Sequence, residues 1–170
     1  RFLFDLYQNS PLWVPPLIRD ELKSLDARAN PGLENCELQL WIAMRNGECV
    51  GRIAGVINRR DNKLRNVNAA RFCLLDFEDD SEVARLLLKA VEDWAAEKEM
   101  ILLEGPFGLT TFERSAVLVD GFDQLPTVVS SYNFPYYGPA IESCGFAKEV
   151  DYVEHRFELP PELNPKYRRV

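Results

Sequence analysis

Residues 69–108 constrain the fold more than any other part of this chain. AARFCLLDFE (69–78) is an almost unbroken apolar and aromatic run, as a buried strand would be. Within residues 79–99, Val83, Leu86, Leu87, Ala90, Val91 and Trp94 recur at steps of three and four, which is one face of a helix. Met100 to Leu103 is short and apolar and stops at Glu104-Gly105-Pro106. A helix that buries its stripe between two strands predicts a strand–helix–strand crossover in a mixed α/β sheet. The two strands are expected to be parallel and to splay, leaving a ligand-sized gap.

The flanking sequence adds strands and short helices. Glu37 to Arg45 alternates, with Leu38, Leu40, Ile42 and Met44 on one face and Gln39, Trp41 and Ala43 on the other. Asn46-Gly47 predicts a tight hairpin, because both turn positions need positive φ, and Glu48 to Ile57 returns as the partner strand. Phe2 to Tyr7 and Arg19 to Leu25 predict short helices, and Pro15-Pro16 holds an apolar loop between them. Asn58 to Asn68, with Arg59, Arg60, Lys63 and Arg65, reads as a polar loop, either solvated or touching a phosphate. Further on come a short strand at Ala116–Val119, an apolar run at Thr127–Ser130, and an aromatic loop at Asn133–Pro139. A short helix at Ala140–Cys144, stopped by Gly145, and one or two strands within Phe146–Leu159 complete the chain.

Charge and cysteine usage narrow the function classes. The net charge of −7 does not draw nucleic acid or anionic lipid through the overall field. No apolar run approaches the ~20 residues that span a bilayer, and no signal peptide is visible, so neither a membrane nor nucleic acid is expected as partner. Cys36, Cys49, Cys73 and Cys144 are widely spaced, and His155 is the single histidine. That pattern predicts free thiols in a reducing cytoplasm, no metal cluster and no covalent nucleophile. By length, residues 1–160 read as one domain and 161–170 as a tail or linker, compatible with a second domain or a homo-oligomer.

Several segments carry a resemblance. Leu87 to Met100 (LLKAVEDWAAEKEM) resembles the central helix of the GNAT superfamily of N-acetyltransferases. The hairpin followed by Val50-Gly51-Arg52-Ile53-Ala54, and Cys144-Gly145-Phe146 closing a short helix, are similar to its second and third strands and its late helix. Trp13-Val14-Pro15-Pro16-Leu17, Gly105-Pro106-Phe107, Asp120-Gly121-Phe122 and Tyr132-Asn133 with Pro135-Tyr136-Tyr137 resemble a bacterial GNAT-like group. The resemblance implies an acyl-CoA N-acyltransferase fold, a central mixed, twisted sheet of about six or seven strands flanked by helices. It implies transfer of an acetyl (acyl) group from acetyl-coenzyme A to a small-molecule amine by direct attack.

The resemblance also assigns residues. The superfamily holds the coenzyme pyrophosphate on an Arg/Gln-x-x-Gly-x-Gly/Ala turn at the start of the central helix, where backbone N–H groups and the helix dipole favour an anion. Here those positions are Asp79, Glu82 and Ala84. Leu75, Asp76 and Phe77 would run beside the thioester, a backbone N–H polarising its oxygen. The tyrosine that protonates the leaving thiolate falls on Ile141, with Tyr137 one turn earlier and Tyr136 beside it. Glu104, at its strand end, is the candidate general base. Asp76, Glu78, Asp79, Asp80 and Glu82 make the helix start acidic, and unit charges ~5 Å apart repel by roughly 1 kcal/mol even in water. Either these carboxylates only cap the helix, Asp79 and Glu82 forming a capping box, or a metal or a cation such as Arg59, Arg60 or Arg114 compensates them. Two functions follow: an N-acyltransferase, or a GNAT-fold module that binds without transferring.

Overall fold

In the computed structural model, which describes residues 1–110, 113–127, 130–155 and 158, the crossover is the spine of the molecule. The elements are α1 (Phe2–Leu6), α2 (Ile18–Ser24), a 3-10 turn (Pro31–Leu33), β1 (Cys36–Arg45), β2 (Glu48–Asn58), α3 (Arg59–Arg65), β3 (Ala69–Phe77), α4 (Ser81–Glu97), β4 (Leu102–Glu104) and α5 (Tyr137–Ser143). The sheet order is β1-β2-β3-β4. The first three strands are antiparallel, and β4 lies parallel to β3, pairing Ala69 with Leu102 and Arg71 with Glu104. β4 then ends at the cis Gly105-Pro106 bond. Phe107 N–H still reaches Phe72 O at 3.0 Å, but from Cys73 to Phe77 β3 keeps β2 on one edge and, among the described residues, has no strand on the edge β4 leaves. The expected divergence is therefore present.

α4 forms for the reasons its periodicity implies, with two adjustments. Its buried stripe is Val83, Ala84, Leu87, Leu88, Val91 and Ala95, while Leu86 is exposed. Its N-cap is Asp80, which accepts the Glu82 N–H at 2.9 Å, rather than Asp79. The helix lies close on β2: a Cβ on Gly51 would sit 2.8 Å from Leu87 Cδ1 and 2.9 Å from Val83 Cγ1. Over Gly55, Trp94 meets Trp41 edge to face at 5.7 Å. The buried side of β1 is thus the Trp41 side, and Leu40, Ile42 and Met44 are exposed on the other.

Among the described residues the sheet has four strands, not six or seven. Ala116–Val119 is no strand: Ser115 makes an isolated bridge to Ser130, and the Leu118 N–H goes to the Asn133 side chain at 2.7 Å. Residues 147–155 are exposed and irregular. Positions 128, 129, 156, 157 and 159–170, where parts of the expected strands and tail fall, lie outside the described residues. Asn58–Asn68 is not a loop but contains α3. Asn58 caps its start by accepting the Asp61 N–H at 3.0 Å, Asn66 ends it at φ 55°, and buried Asn62 ties it to Ala69 O at 2.8 Å. The Asn46-Gly47 turn has the expected positive φ, 51° and 87°. No described helix is long and apolar enough to cross a membrane.

Candidate functional site

A one-residue irregularity in β3 builds the site. Ala54 pairs with Cys73 but Arg52 with Asp76, so Leu74 and Leu75 together oppose Ile53. Leu74 takes φ 51°, rare for a leucine. The extra residue turns Leu75 and Phe77 into the core against α4, and Asp76 onto the opposite face beside Arg52. There Arg52 Nε donates to Asp76 Oδ2 at 2.9 Å and Nη1 donates to Glu21 Oε1 at 2.7 Å.

Two tyrosines complete this cluster. Tyr7, just past α1, is stacked between Trp13 and Phe134, each ring centre 5.0 Å away. Its hydroxyl donates to Asp76 Oδ1 at 3.1 Å and lies 2.9 Å from the Tyr137 hydroxyl. Tyr137 opens α5, and its oxygen accepts the Phe77 N–H at 3.2 Å. Tyr136 donates to Phe77 O at 2.7 Å. The pair thus takes both backbone groups of Phe77 at the edge that β4 vacates. Tyr137 and Ile141 both face inward, so α5 starts early enough to put the tyrosine one turn before Ile141 on the same face.

Electrostatics follow from burial. Asp76 is 15% exposed, and burial pushes its carboxyl pKa up, opposed by Arg52 and by the Tyr7 hydrogen bond. Burial works against the Arg52 charge, yet Asp76 and Glu21 outweigh it and hold its pKa above the ordinary value. Burial, then the nearby Asp76 carboxylate, raises the Tyr7 and Tyr137 phenols, so both are neutral hydroxyls. Tyr136 is raised by burial, then by Asp79 and Asp76. Cys73 is pushed up to about 12 by burial, and the four cysteines are free thiols.

The cluster forms one wall of a cavity of about 520 Å³ between the sheet, α2 and the chain after β4. Leu17, Leu25, Leu38, Val56, Leu74 and Leu109 make much of its surface apolar. Its charged lining is Asp20, Glu21, Asp76 and Glu113 against Arg52 and Arg114, a surplus of negative charge. Leu75 and Pro106, on either side of the divergence, also line it, so the cavity reaches the gap between β3 and β4.

The structure brings only some of the expected site residues together. Tyr137, Asp76 and Leu75 line the cavity, and Tyr136 and Phe77 join them through hydrogen bonds. Glu104 lies outside the lining and binds Arg65 at 2.5 and 3.0 Å. Asp79 and Glu82 are exposed at the start of α4, and Ala84 is buried under it. The cations beside this acidic start are Arg45, paired with Asp80 and 3.8 Å from Glu78, and Arg85, 2.6 Å from Glu82. Arg59 is instead 2.6 Å from Glu37, and Arg114 lines the cavity. The Glu82 N–H, which an anion at this helix start would use, is taken by Asp80. The α4 turn therefore does not fit a pyrophosphate in the manner of the superfamily. Tyr7, Arg52 and Glu21 are the site residues that sequence reasoning missed.

No family model matches the chain. It is 32% identical over 150 residues to Protein YghO of Escherichia coli, covering 88% of this chain and 38% of that protein. It is 32% identical over 152 residues to the Bacterial ceramide synthase of Caulobacter vibrioides, covering 89% of this chain and 40% of that protein. The chain thus spans about two-fifths of the length of these curated relatives. Among solved structures, it is similar to an aminoglycoside acetyltransferase from an uncultured soil metagenomic sample in complex with sisomicin. That match has a TM-score of 0.51 and 13% identity, and covers 94% of this chain and 85% of the other. At that identity the likeness concerns the fold: this chain has an acetyltransferase-like fold, a mixed sheet flanked by helices.

Proposed function

We propose that this chain, as one domain over residues 1–160, transfers an acyl group from a thioester donor to the amine of a small molecule by direct attack. The observation that carries the reading is the position of the Tyr137 hydroxyl. It sits where an acidic, largely apolar cavity meets the edge of β3 that β4 leaves. A protonated amine is drawn to the surplus negative charge, and a neutral phenol there can protonate a leaving thiolate. The acetyltransferase-like fold supports acyl transfer, and the relative named a ceramide synthase supports a lipid acceptor. A ceramide is the amide of a fatty acid and a long-chain amino alcohol. We therefore take the acceptor to be a single-chain amphiphilic amine: the apolar wall gains about 0.8 kcal/mol per buried methylene, and the acidic end receives the ammonium.

Acyl-coenzyme A is the donor to test first, although the α4 turn offers it no phosphate cradle. Full-length protein incubated with sphinganine and either acetyl- or palmitoyl-coenzyme A should yield the N-acyl product by mass spectrometry. Absence of amide with both donors would sink the reading. A binding module without transfer is favoured by one feature, the closure of both Phe77 backbone groups by Tyr136 and Tyr137. It would give calorimetric heat with the amine but no amide.

A further inference from the structure

We propose that Asp76 is the proton reservoir of the transfer, reached from Tyr137 through the buried hydroxyl of Tyr7. The inference rests on the acyl-transfer reading and adds to it a defined proton path.

Counting hydroxyl protons sets the direction. Tyr7 has one, and it goes to Asp76 Oδ1 at 3.1 Å. The 2.9 Å bond between the phenols is then donated by Tyr137, whose oxygen accepts from Phe77 N–H. Each hydroxyl accepts one hydrogen bond and donates one, which is what a relay needs. Asp76 and Tyr137 both line the cavity, whereas Tyr7, 1% exposed, does not and is the covered middle of the path. Tyr7 is therefore a positioning residue that touches neither substrate. Burial raises the Asp76 carboxyl pKa, and Arg52 opposes the rise. Arg52 is itself held by Glu21, and the trio carries a surplus negative charge at the cavity wall.

The step balances. The ammonium first loses one proton to solvent. The neutral amine nitrogen then bonds to the thioester carbon and the carbon–sulfur bond breaks, leaving one nitrogen proton to move and one thiolate to receive it. The nitrogen's proton passes to Tyr137 as the Tyr137 proton moves to Tyr7 and the Tyr7 proton to Asp76, which becomes a carboxylic acid. The chain of hydrogen bonds then reverses, and Tyr137 delivers a proton to the sulfur. Amide and thiol leave, and the relay is restored.

Tyr7→Phe removes one oxygen and keeps the ring stack on Trp13 and Phe134. In the full-length protein with sphinganine and palmitoyl-coenzyme A it should lower kcat by about 100-fold, with KM within about threefold. The wild-type kcat should fall as pH drops and Asp76 protonates, and this acid limb should vanish in Tyr7→Phe. The groups that face Asp76 are Arg52 from β2, Glu21 from α2, Tyr7, and Tyr136 and Tyr137 from the start of α5. Asp76→Asn, checked for folding by circular dichroism, should abolish the same limb, and adding Tyr7→Phe to it should cost nothing more. An unchanged kcat and acid limb in Tyr7→Phe overturns the relay. A second readout needs no turnover: the infrared carboxyl band that Asp76→Asn deletes should titrate at higher pH in Tyr7→Phe, because a donor to the carboxylate is gone. If wild-type protein makes no amide, the acyl-transfer reading fails. A moved band then supports the path while detaching it from this reaction, and an unmoved band overturns the path itself.

Discussion

β3 carries two charged residues, Arg71 and Asp76, and each is the centre of a partly buried ion cluster. Around Arg71 stand Asp61, Arg65 and Glu104: Arg71 pairs with Asp61 and lies 3.7 Å from Glu104, which also takes Arg65. Arg71 further donates to Gly108 O and Leu109 O, and its guanidinium lies 4.6 Å from the Phe107 ring centre. Two cations meet two anions, and none of the four lines the cavity. Around Asp76, one cation meets two anions, two phenols join in, and the cluster faces the cavity. A cluster that closes its own charge ties β3, α3, β4 and the loop after it together. One that leaves charge open toward a cavity is set for something that arrives there.

The sharpest way to break this comparison is to remove each centre. Arg71→Ala leaves Asp61 and Glu104 with Arg65 as their shared cation, and should destabilise by about 3 kcal/mol, roughly a 10 °C fall in Tm by calorimetry. Little loss of Tm would mean the Arg71 cluster is not what holds that end. Tyr137→Phe should do the reverse, with amide formation down by about 100-fold and Tm within a few degrees. Glu104→Gln should cost on the order of 1–2 kcal/mol while the rate stays within about twofold. A rate loss beyond that would return Glu104 to the chemistry as a base.

The two clusters also differ in how far residue order shows them. The crossover and the hairpin are legible because helical periodicity and Asn-Gly are local signals. α3 is legible only where Asn58 and Asn66 are read as its caps, and both residue types suit a loop equally well. Arg52 and Asp76 left a fainter trace, each a lone charge in an apolar strand (VGRIAGVI and FCLLDF). Opposite charges in neighbouring strands invite pairing, but only the register says whether they meet. Without the extra residue at Leu74, Arg52 would oppose Leu75, and Asp76 would point into the α4 core. No sequence rule puts a leucine at positive φ. Tyr7 enters the site from 69 positions away along the chain, which no local pattern carries. The count of six or seven strands comes from the family likeness, whereas strands at Ala116–Val119 and within Phe146–Leu159 are read from apolar runs. Among the described residues neither run pairs as a strand, and Val150, Tyr152 and Val153 stay exposed.

Acid titration separates Asp76 from the other aspartate the fold uses, Asp80. The folded-state pKa of Asp76 is raised, so its contribution to stability is complete below the unfolded pKa and is lost as pH rises through the folded one. That of Asp80 is lowered, first by the Glu82 N–H and then by Arg45, so its contribution is present above the unfolded pKa and lost as pH falls through the folded one. Relative to wild type, Asp76→Asn should therefore gain Tm as pH rises from the ordinary aspartate pKa through the folded Asp76 value. Asp80→Asn should lose its disadvantage only in stronger acid. Parallel Tm–pH curves for the two variants would show that burial does not govern Asp76.

The smallest effect expected concerns the acidic start of α4, the third charged region. Asp79 and Glu82 are exposed, Glu82 bound by Arg85, and the start carries no glycine for phosphates to approach. Asp79→Arg with Glu82→Gly removes two negative charges, adds a positive one and frees Arg85. If the donor's phosphates lie at this helix end, its affinity by calorimetric titration should rise severalfold, since two repelling carboxylates go and an attracting guanidinium arrives at a solvent-screened helix start. The gain should shrink in high salt, because exposed charges are screened. An affinity indifferent to both the double variant and salt would mean that the donor enters along the diverging edge of β3. The Phe77 backbone and its two tyrosines would then be its contact, and the α4 carboxylates only caps.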